Sequence, residues 1–354
     1  IILVFILSNL YSFVRVIVLM IVELMLAFVD FLRGIISRKD LLKELQFVPA
    51  RVAISILLRE LVTIGAKLDA VRGLPIIHLN LLGYDEQSHR RGPSSQFAHW
   101  SLKGIDDAIS RVWRAAKSSP RRNYEVWVYS DHGQAETVPY EYLHGETVTD
   151  AIKRVFADLN NLEVATNLDS EVLGIELQRA KYIGGKWLQK LFPFYQIETG
   201  LQMQAQNVTV TSMGPMGSIY PAHPLSPSCI EKLAITLVQN AKIPLVFACI
   251  RNSTHSKLEI KAWNKNGVYQ LPRDASEIFG KEHPYLQDVT DDMVRLCKHK
   301  ESGALLISGW SVEGEYCSFA MENGAHGGPS PEETDAFALL PSDTPLPIKE
   351  NGYL

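Results

Sequence analysis

Apolar and polar positions follow a helical period at the start of the chain. Residues 1–36 are strongly apolar, and polar residues interrupt them at intervals of three, four, seven or eight positions. Such spacing places the polar residues on one narrow stripe of a long helix. The stripe comprises Ser8, Ser12, Arg15, Glu23, Asp30 and Arg33. A second amphipathic pattern covers residues 50–68, with Leu57, Leu61 and Ile64 among its apolar positions, so we predict an apolar helical segment over residues 1–68.

This segment is long enough to raise the question of membrane contact. Ile1 to Val22 approaches the length of a bilayer span, which takes about 20 residues. Charges within a span are costly and normally face a partner helix, so a helical hairpin or an interfacial helix fits better than a single span. Basic residues that follow the apolar part would place the next domain in the cytoplasm. They are Arg33, Arg38, Lys39, Lys43 and Arg51. We expect a membrane-associated protein, with a soluble cytoplasmic protein as the alternative.

The pattern changes to alternating strands and helices from Leu74 onwards. Leu74–Leu82 predicts a buried strand, and Gly83–Pro93 predicts the loop at its carboxyl end. Ser94 is the predicted cap of a helix that runs to about Ser118. Tyr124–Tyr129 predicts a second strand, which ends directly before a polar cluster. Open α/β sheets place their sites at such strand ends.

The rest of the chain continues this α/β pattern. Two helices are predicted at Val148–Leu159 and Leu173–Leu191, within residues 145–205, which we interpret as an insertion. A hairpin is predicted around residues 213–217. Further strands are predicted at Ile243–Ile250, Ala304–Ser308 and 336–341. We therefore predict one α/β domain over residues 69–354, with a central sheet flanked by helices.

Composition indicates an ordered globular protein that does not bind nucleic acid. Apolar residues make up 46% and charged residues 21% of the 354 residues. The net charge is -4 and no long basic run is present, which argues against an electrostatic footprint for nucleic acid. The four cysteines form no C-x-x-C pair and are interpreted as reduced thiols, which agrees with a reducing compartment. They are Cys229, Cys249, Cys297 and Cys317.

Three short polar clusters carry the candidate chemistry. The first contains Asp85 and His89 and continues to Gly92-Pro93. The second is Ser130-Asp131-His132-Gly133, and the third surrounds His326 in residues 324–328. Carboxylate oxygens and imidazole nitrogens are ligands that zinc accepts. No single cluster fills a coordination sphere, so metal binding requires the fold to bring the clusters together.

These clusters resemble the motifs of the alkaline phosphatase superfamily, specifically its type I phosphodiesterase/nucleotide pyrophosphatase branch. The first cluster matches the family pattern D-x-x-x-H-x-x-G-P and the second matches S-D-H-G. The resemblance covers roughly residues 70–340 and implies an alkaline-phosphatase-like fold. It implies that Asp85, His89 and His326 bind one metal ion. Asp131 and His132 would bind the other ion, together with an upstream Asp and a nucleophilic Thr or Ser.

The chain departs from the family pattern in two respects. Ser88 stands where the family usually has glycine. The upstream Asp and the nucleophile have no match, so the catalytic nucleophile is unassigned. We interpret the chain as the C-terminal part of a longer enzyme, and we expect it to bind metal but to be inactive alone.

The resemblance implies a two-metal phosphoester hydrolase. An activated hydroxyl would attack phosphorus, and water would then resolve the covalent intermediate. The implied cofactors are two divalent ions, with zinc preferred and manganese as the alternative. The implied substrate is a nucleotide-like small molecule or a lipid headgroup. Two alternatives stay open: a membrane-associated phosphotransferase of the phosphoethanolamine type, whose first motif is similar to Leu82–Pro93, and a non-catalytic metal-binding relative.

Overall fold

The computed structural model describes residues 53–160, 208–251 and 258–345, together with residues 10, 14, 17–22, 24, 25 and 28. Two compact units emerge from it. Unit 1 takes the described residues of 1–87, 95–131 and 336–354, and unit 2 consists of residues 88–94 and 132–335. The predicted boundary between residues 68 and 69 stays a prediction. The predicted helix Leu173–Leu191, most of residues 1–36 and most of the predicted insertion lie outside the described residues.

Unit 1 is built around two packed helices. A π-helical stretch, Ala53–Leu58, leads into α1, Arg59–Arg72, which packs against the helix we call α3, Gln96–Lys117. The apolar face predicted for residues 50–68 is wrong at Leu57, in the π-helical stretch, and at Leu61, in α1, which are 41% and 57% exposed. The buried face instead carries charged and small side chains. They are Arg59, Glu60, Thr63, Ala66 and Ala70.

An ion pair explains why a charged face of α1 is buried. Arg111 of α3 donates two hydrogen bonds to the carboxylate of Glu60, at 2.7 and 2.6 Å, and Glu60 is 1% exposed. Arg111 also pairs with Asp107 one turn earlier on α3, at 3.1 Å. A bidentate guanidinium–carboxylate pair is strong and geometrically specific, so it sets how the two helices pack.

We expect Glu60→Gln to lower the free energy of unfolding by about 2 kcal/mol, because removing one partner of a buried pair leaves the other charge poorly compensated. Asp107 still pairs with Arg111 in this variant, so the cost should be smaller than for an Arg111 without any carboxylate partner. Asp69→Asn is the matched control, since Asp69 pairs with Arg72 at the exposed surface of the same helix. Urea denaturation of both variants tests the prediction, and equal midpoints would contradict it.

The region of the first polar cluster differs from the sequence prediction. Residues 75–82 form no strand and Ile76 is 86% exposed, so the predicted buried strand Leu74–Leu82 is wrong. The predicted loop is instead helix α2, Gly83–Arg91. Among the described residues, no strand pairs with residues 75–82, and an apolar run needs such neighbours to be buried as a strand.

Two other predictions for unit 1 are confirmed with adjusted bounds. Helix α3 begins one residue later than expected, because Ser95 rather than Ser94 is its cap and accepts the N–H of Ala98 at 3.2 Å. The strand predicted from Tyr124 is short: β1 is Val128–Tyr129, and it pairs antiparallel with β12, Ala338–Leu339.

Unit 2 contains a six-stranded sheet in which every pairing is antiparallel. Its order is β4-β5-β9-β6-β7-β8. The strands are β4 Val208–Met213, β5 Met216–Pro221, β6 Leu245–Arg251, β7 Leu258–Asn264, β8 Gly267–Leu271 and β9 Leu305–Ser308. The predicted hairpin is confirmed as β4–β5, and two predicted central strands are confirmed as β6 and β9.

Helices cover both faces of this sheet. Successive residues of β6 point to opposite faces, so Val246 and Phe247 lie in different cores. One face packs against α5, Val148–Asn160, and α6, Pro227–Gln239; the other packs against α7, Ala275–Phe279, and α8, Leu286–Lys298. This arrangement of helices and sheet fits the predicted α/β class.

Short strand pairs outside the large sheet connect the polar clusters of unit 2. Strand β2, Ala135–Glu136, pairs antiparallel with β11, Gly324–Ala325. Strand β3, Val138–Pro139, pairs parallel with β10, Cys317–Ser318. The remaining short helices are α4, Tyr140–His144, and α9, Pro331–Thr334.

The apolar N-terminal segment is described at only a few positions. Residues 10, 14, 17–22, 24, 25 and 28 are helical. Within the part of the chain that the structure describes, no helix combines the length and the apolar character needed to cross a bilayer.

Candidate metal centre

Backbone pairing between two segments of unit 2 sets the positions of His132 and His326. Ala135 lies opposite Ala325 in the antiparallel β2–β11 pair. His132 precedes Ala135 by three residues and His326 directly follows Ala325, so both histidines lie at the same end of this strand pair. The pairing continues beyond the strands, because the N–H of Thr137 donates to the carbonyl of Asn323 at 3.0 Å. The pairing of β2 with β11 therefore brings the second and third polar clusters together.

The end of the first cluster is attached to the same segment. Asn323 donates its backbone N–H to the carbonyl of His89 at 2.8 Å and its side-chain amide to the carbonyl of Arg90 at 2.7 Å. Gly324 permits this close approach, since a Cβ at Gly324 would lie 2.4 Å from the carbonyl oxygen of Ser88. The fold thus places the end of α2 beside the segment that leads to His326.

Three imidazoles converge in unit 2 as a result. The rings of His132 and His326 stack with their centroids 3.7 Å apart, and the ring of His89 lies 5.0 Å from that of His326. A ligating nitrogen of His132 lies within 4.8 Å of one of His326. His89, His132 and His326 were all predicted as ligands, and the structure brings these three together.

Hydrogen bonds at Nδ1 fix the orientation of two of the rings. His132 Nδ1 lies 2.7 Å from the carbonyl oxygen of Gly133, and His89 Nδ1 lies 3.0 Å from that of Gly324. A carbonyl oxygen only accepts, so Nδ1 carries the proton in both rings. In the neutral imidazole, Nε2 then holds the lone pair, which is the form that binds metal. This donor set suits zinc.

Residues 70–185 match the family described as type I phosphodiesterase / nucleotide pyrophosphatase. The match supports membership of the alkaline phosphatase superfamily. No curated protein and no solved structure matches the chain.

The family match agrees with the resemblance predicted from the motifs. It contains four of the predicted ligands, Asp85, His89, Asp131 and His132, and it ends before His326. Phosphodiesterases and pyrophosphatases of this family are phosphoester hydrolases that act on small molecules and are typically metal-dependent. The match thus supports a hydrolase of this class and a metal cofactor, whose identity it leaves open.

The two predicted carboxylate ligands belong to unit 1. Asp85 precedes His89 by four residues in α2, a spacing that places both side chains on one face of the helix. Asp131 follows Ser130, whose N–H donates to the carbonyl of Phe337 at 3.0 Å. Asp85 is half-buried and Asp131 is exposed. Their participation in metal binding stays a prediction.

Two carboxylates of unit 2 that the sequence analysis missed lie close to the predicted ligands. Glu322 contacts His89, as described below, and Glu333 lies beside the loop after His326. The Glu333 carboxylate accepts the N–H of Gly328. Burial raises the pKa of Glu333 to about 7, although the neighbouring Tyr316 hydroxyl acts in the opposite direction. No motif marks either residue, since the contacts of both join segments that only the fold brings together.

Glu333→Gln should change how stability depends on pH. The pKa of Glu333 is about 7 in the folded protein and ordinarily 4.5, so the folded state binds the proton more tightly. The free energy of unfolding should therefore fall as the pH rises from about 4.5 to 7. At 1.36 kcal/mol per unit, the loss is about 2–3 kcal/mol.

The Gln variant should not show this loss of stability. The difference in the free energy of unfolding between the variant and the unchanged protein should therefore grow as the pH rises from about 4.5 to 7. Chemical denaturation in metal-free buffer at pH 5 and pH 8 measures it. Glu282→Gln, an exposed change on the same unit, is the control. A difference that does not vary with pH would contradict the prediction.

Proposed function

We propose that the chain carries a two-metal site for phosphodiester or pyrophosphate hydrolysis. The convergence of His89, His132 and His326, with Nδ1 of two rings held by carbonyl oxygens, is the observation that carries the proposal. A proton on Nδ1 of these two rings leaves the lone pair on Nε2, which is the form of imidazole that binds a metal. The family match over residues 70–185 supports the same class of reaction.

The proposed ligand sets follow the family pattern. Asp85, His89 and His326 would hold one ion, and Asp131 and His132 would contribute to the other. The stacking of His132 on His326 agrees with two ions that lie close together, since ions of two-metal sites are about 4 Å apart. We propose zinc as the ion, with manganese as the alternative. A mixed set of histidine and carboxylate ligands is typical of zinc, whereas manganese prefers oxygen ligands.

The residues of this chain would bind the ions and orient the substrate. Bound ions would lower the pKa of the attacking hydroxyl and offset charge on the phosphoryl oxygens. The carbonyl oxygens of Gly133 and Gly324 hold two rings in place, so little reorganisation is needed when ligands bind. The proposed substrates are small phosphodiesters, either nucleotide-like molecules or lipid headgroups.

Phosphate binding with and without zinc tests this proposal. Calorimetry with inorganic phosphate should give a binding signal for the zinc-loaded protein and none after treatment with a chelator. His132→Ala should lose the signal, while His223→Ala, a change of an exposed histidine of the same unit, should keep it. Equal binding by the metal-free and zinc-loaded proteins would overturn the proposal.

We also propose that residues 1–36 mediate contact with a lipid surface. The support comes from the described positions, where Ile17, Met25 and Phe28 are 58%, 64% and 60% exposed. Exposed apolar side chains of this kind are characteristic of interfacial helices.

Flotation with phosphatidylcholine and phosphatidylglycerol vesicles provides the test of lipid contact. The protein should float with the vesicles, and the double variant Ile17→Glu/Met25→Glu should bind them at least about 10-fold more weakly, because each change removes apolar area from the contact. A matched double variant at exposed positions of unit 2, Ile235→Glu/Val268→Glu, should still float. Unchanged flotation of the N-terminal variant would refute the contact.

A further inference from the structure

Glu322 lies outside the family motifs and contacts a predicted ligand directly. Its Oε2 is 3.1 Å from Nδ1 of His89. We propose that Glu322 is a positioning residue, which accepts a hydrogen bond from Nδ1–H of His89 and thereby presents Nε2 of the ring for metal binding. This inference rests on the proposed function, because it assigns Glu322 a role toward the same metal centre.

The geometry gives His89 two acceptors at one nitrogen. Nδ1 lies 3.1 Å from the Glu322 carboxylate and 3.0 Å from the Gly324 carbonyl oxygen. The carbonyl oxygen alone requires a proton on Nδ1, and the carboxylate shares that proton. The tautomer is thus determined from two sides, and rotation of the ring would break both hydrogen bonds.

The contact is shielded from water. His89 is 7% exposed and Glu322 is 9% exposed. In such surroundings a charge-assisted hydrogen bond is stronger than one at the surface. The negative charge of Glu322 also increases the electron density of the imidazole, which makes Nε2 a better ligand. The carbonyl of Gly324 supplies orientation but no charge, so the carboxylate adds an effect that the backbone does not supply.

The backbone around Glu322 is fixed on both sides. Its N–H donates to the carbonyl of Ala320 at 2.9 Å, and its carbonyl accepts the hydroxyl of Thr137 at 3.3 Å. The next residue, Asn323, binds the carbonyls of His89 and Arg90. The carboxylate therefore projects from a segment that is already attached to the ligand-bearing end of α2. A short segment, residues 322–326, supplies both this carboxylate and the imidazole of His326.

Glu322→Gln tests the role, because it removes the charge and keeps nearly the same shape. Competition with a chromophoric zinc chelator should show zinc affinity 10–100-fold lower than in the unchanged protein, the usual range for loss of such a partner. Glu282→Gln, an exposed change in the same unit, should leave the affinity unchanged. Thermal unfolding without metal shows whether the variant is folded.

Nuclear magnetic resonance of the metal-free protein gives a second readout that a purely structural role would not move. In the unchanged protein the nitrogen shifts of His89 should report a proton on Nδ1, and its proton signal should lie far downfield. In Glu322→Gln that signal should move upfield, because the acceptor is neutral.

The outcomes separate the two proposals. Failure of the unchanged protein to bind zinc would overturn the proposed function. Zinc binding that is equal in the unchanged protein and Glu322→Gln would overturn only the role of Glu322. If the variant does not fold, an unprotonated Nδ1 in the unchanged protein overturns the role, and a protonated Nδ1 with a downfield signal supports it.

Discussion

Replacing His326 with alanine is expected to weaken zinc binding several hundred-fold. Structural zinc sites supply roughly 10–16 kcal/mol through four ligands, so one ligand accounts for about 2.5–4 kcal/mol. His326 occupies the centre of the histidine group, since its ring contacts both His132 and His89. Its loss removes a proposed nitrogen ligand and also the surface on which the ring of His132 packs.

The control for this prediction is His223→Ala, which removes an exposed imidazole of unit 2. Affinities are measured by competition with a chromophoric chelator at pH 7.5, about one unit above the ordinary pKa of histidine. The control should match the unchanged protein. A His326→Ala variant that binds zinc within about threefold of the control would contradict a role for His326 as a ligand, since even loss of an outer partner costs more.

Replacing Gly133 with alanine is expected to destabilise the protein by about 4 kcal/mol. A Cβ at Gly133 would lie 2.0 Å from the carbonyl oxygen of Glu332 and 2.5 Å from that of Asp335. Both atoms belong to backbone, so the segment around α9 would have to move. Overpacking of this kind costs about 1–3 kcal/mol or more. The movement would also disturb the hydrogen bond from the Gly133 N–H to the carbonyl of Glu333, which contributes about 1 kcal/mol.

Gly65→Ala is the matched control for Gly133→Ala. Gly65 lies within α1, and a Cβ there would meet no atom within 4 Å. Alanine favours helix, so this change should be neutral or stabilise by up to about 1 kcal/mol. Urea denaturation of the two variants gives the comparison. If Gly133→Ala were as stable as Gly65→Ala, the close approach at Gly133 would be refuted.

Elements with a strong local signal were predictable from sequence. The β4–β5 hairpin has Gly214 and Pro215 at its turn, and Gly214 adopts a positive φ of 57°. Helix α3 repeats apolar residues with a helical period and begins at a serine cap. In both cases the decisive interactions lie within a few residues along the chain, so the sequence pattern alone contains them.

Helix α2 also had a local signal, but the apolar run before it suggested a strand and loop. Asp85 and Glu86 lie in its first turn, and His89, Arg90 and Arg91 lie in its last turn. This order of charges suits the helix dipole. The wrong face predicted for α1 has a different cause, since the Glu60–Arg111 pair joins residues 51 positions apart. No periodic pattern reveals a buried ion pair.

The residues of the candidate site likewise divide into those with a local sequence signal and those recognised only by contacts between distant parts of the chain. His89, His132 and His326 were found because they stand in recognisable motifs, and the structure brings the three together. Glu322 was not found, because its contact with His89 joins residues 233 positions apart. Glu333 was not found because its raised pKa depends on burial. Motifs identify the residues that meet a metal or substrate, whereas the groups that orient them depend on the fold.

The zinc content of the purified protein tests the central claim most directly. The protein is equilibrated with zinc, desalted and measured by inductively coupled plasma mass spectrometry beside the triple variant His89→Ala/His132→Ala/His326→Ala. A two-metal site predicts that the unchanged protein retains two zinc ions per chain and that the triple variant retains none. An unchanged protein without zinc, or a triple variant with the same zinc content as the unchanged protein, would contradict the claim.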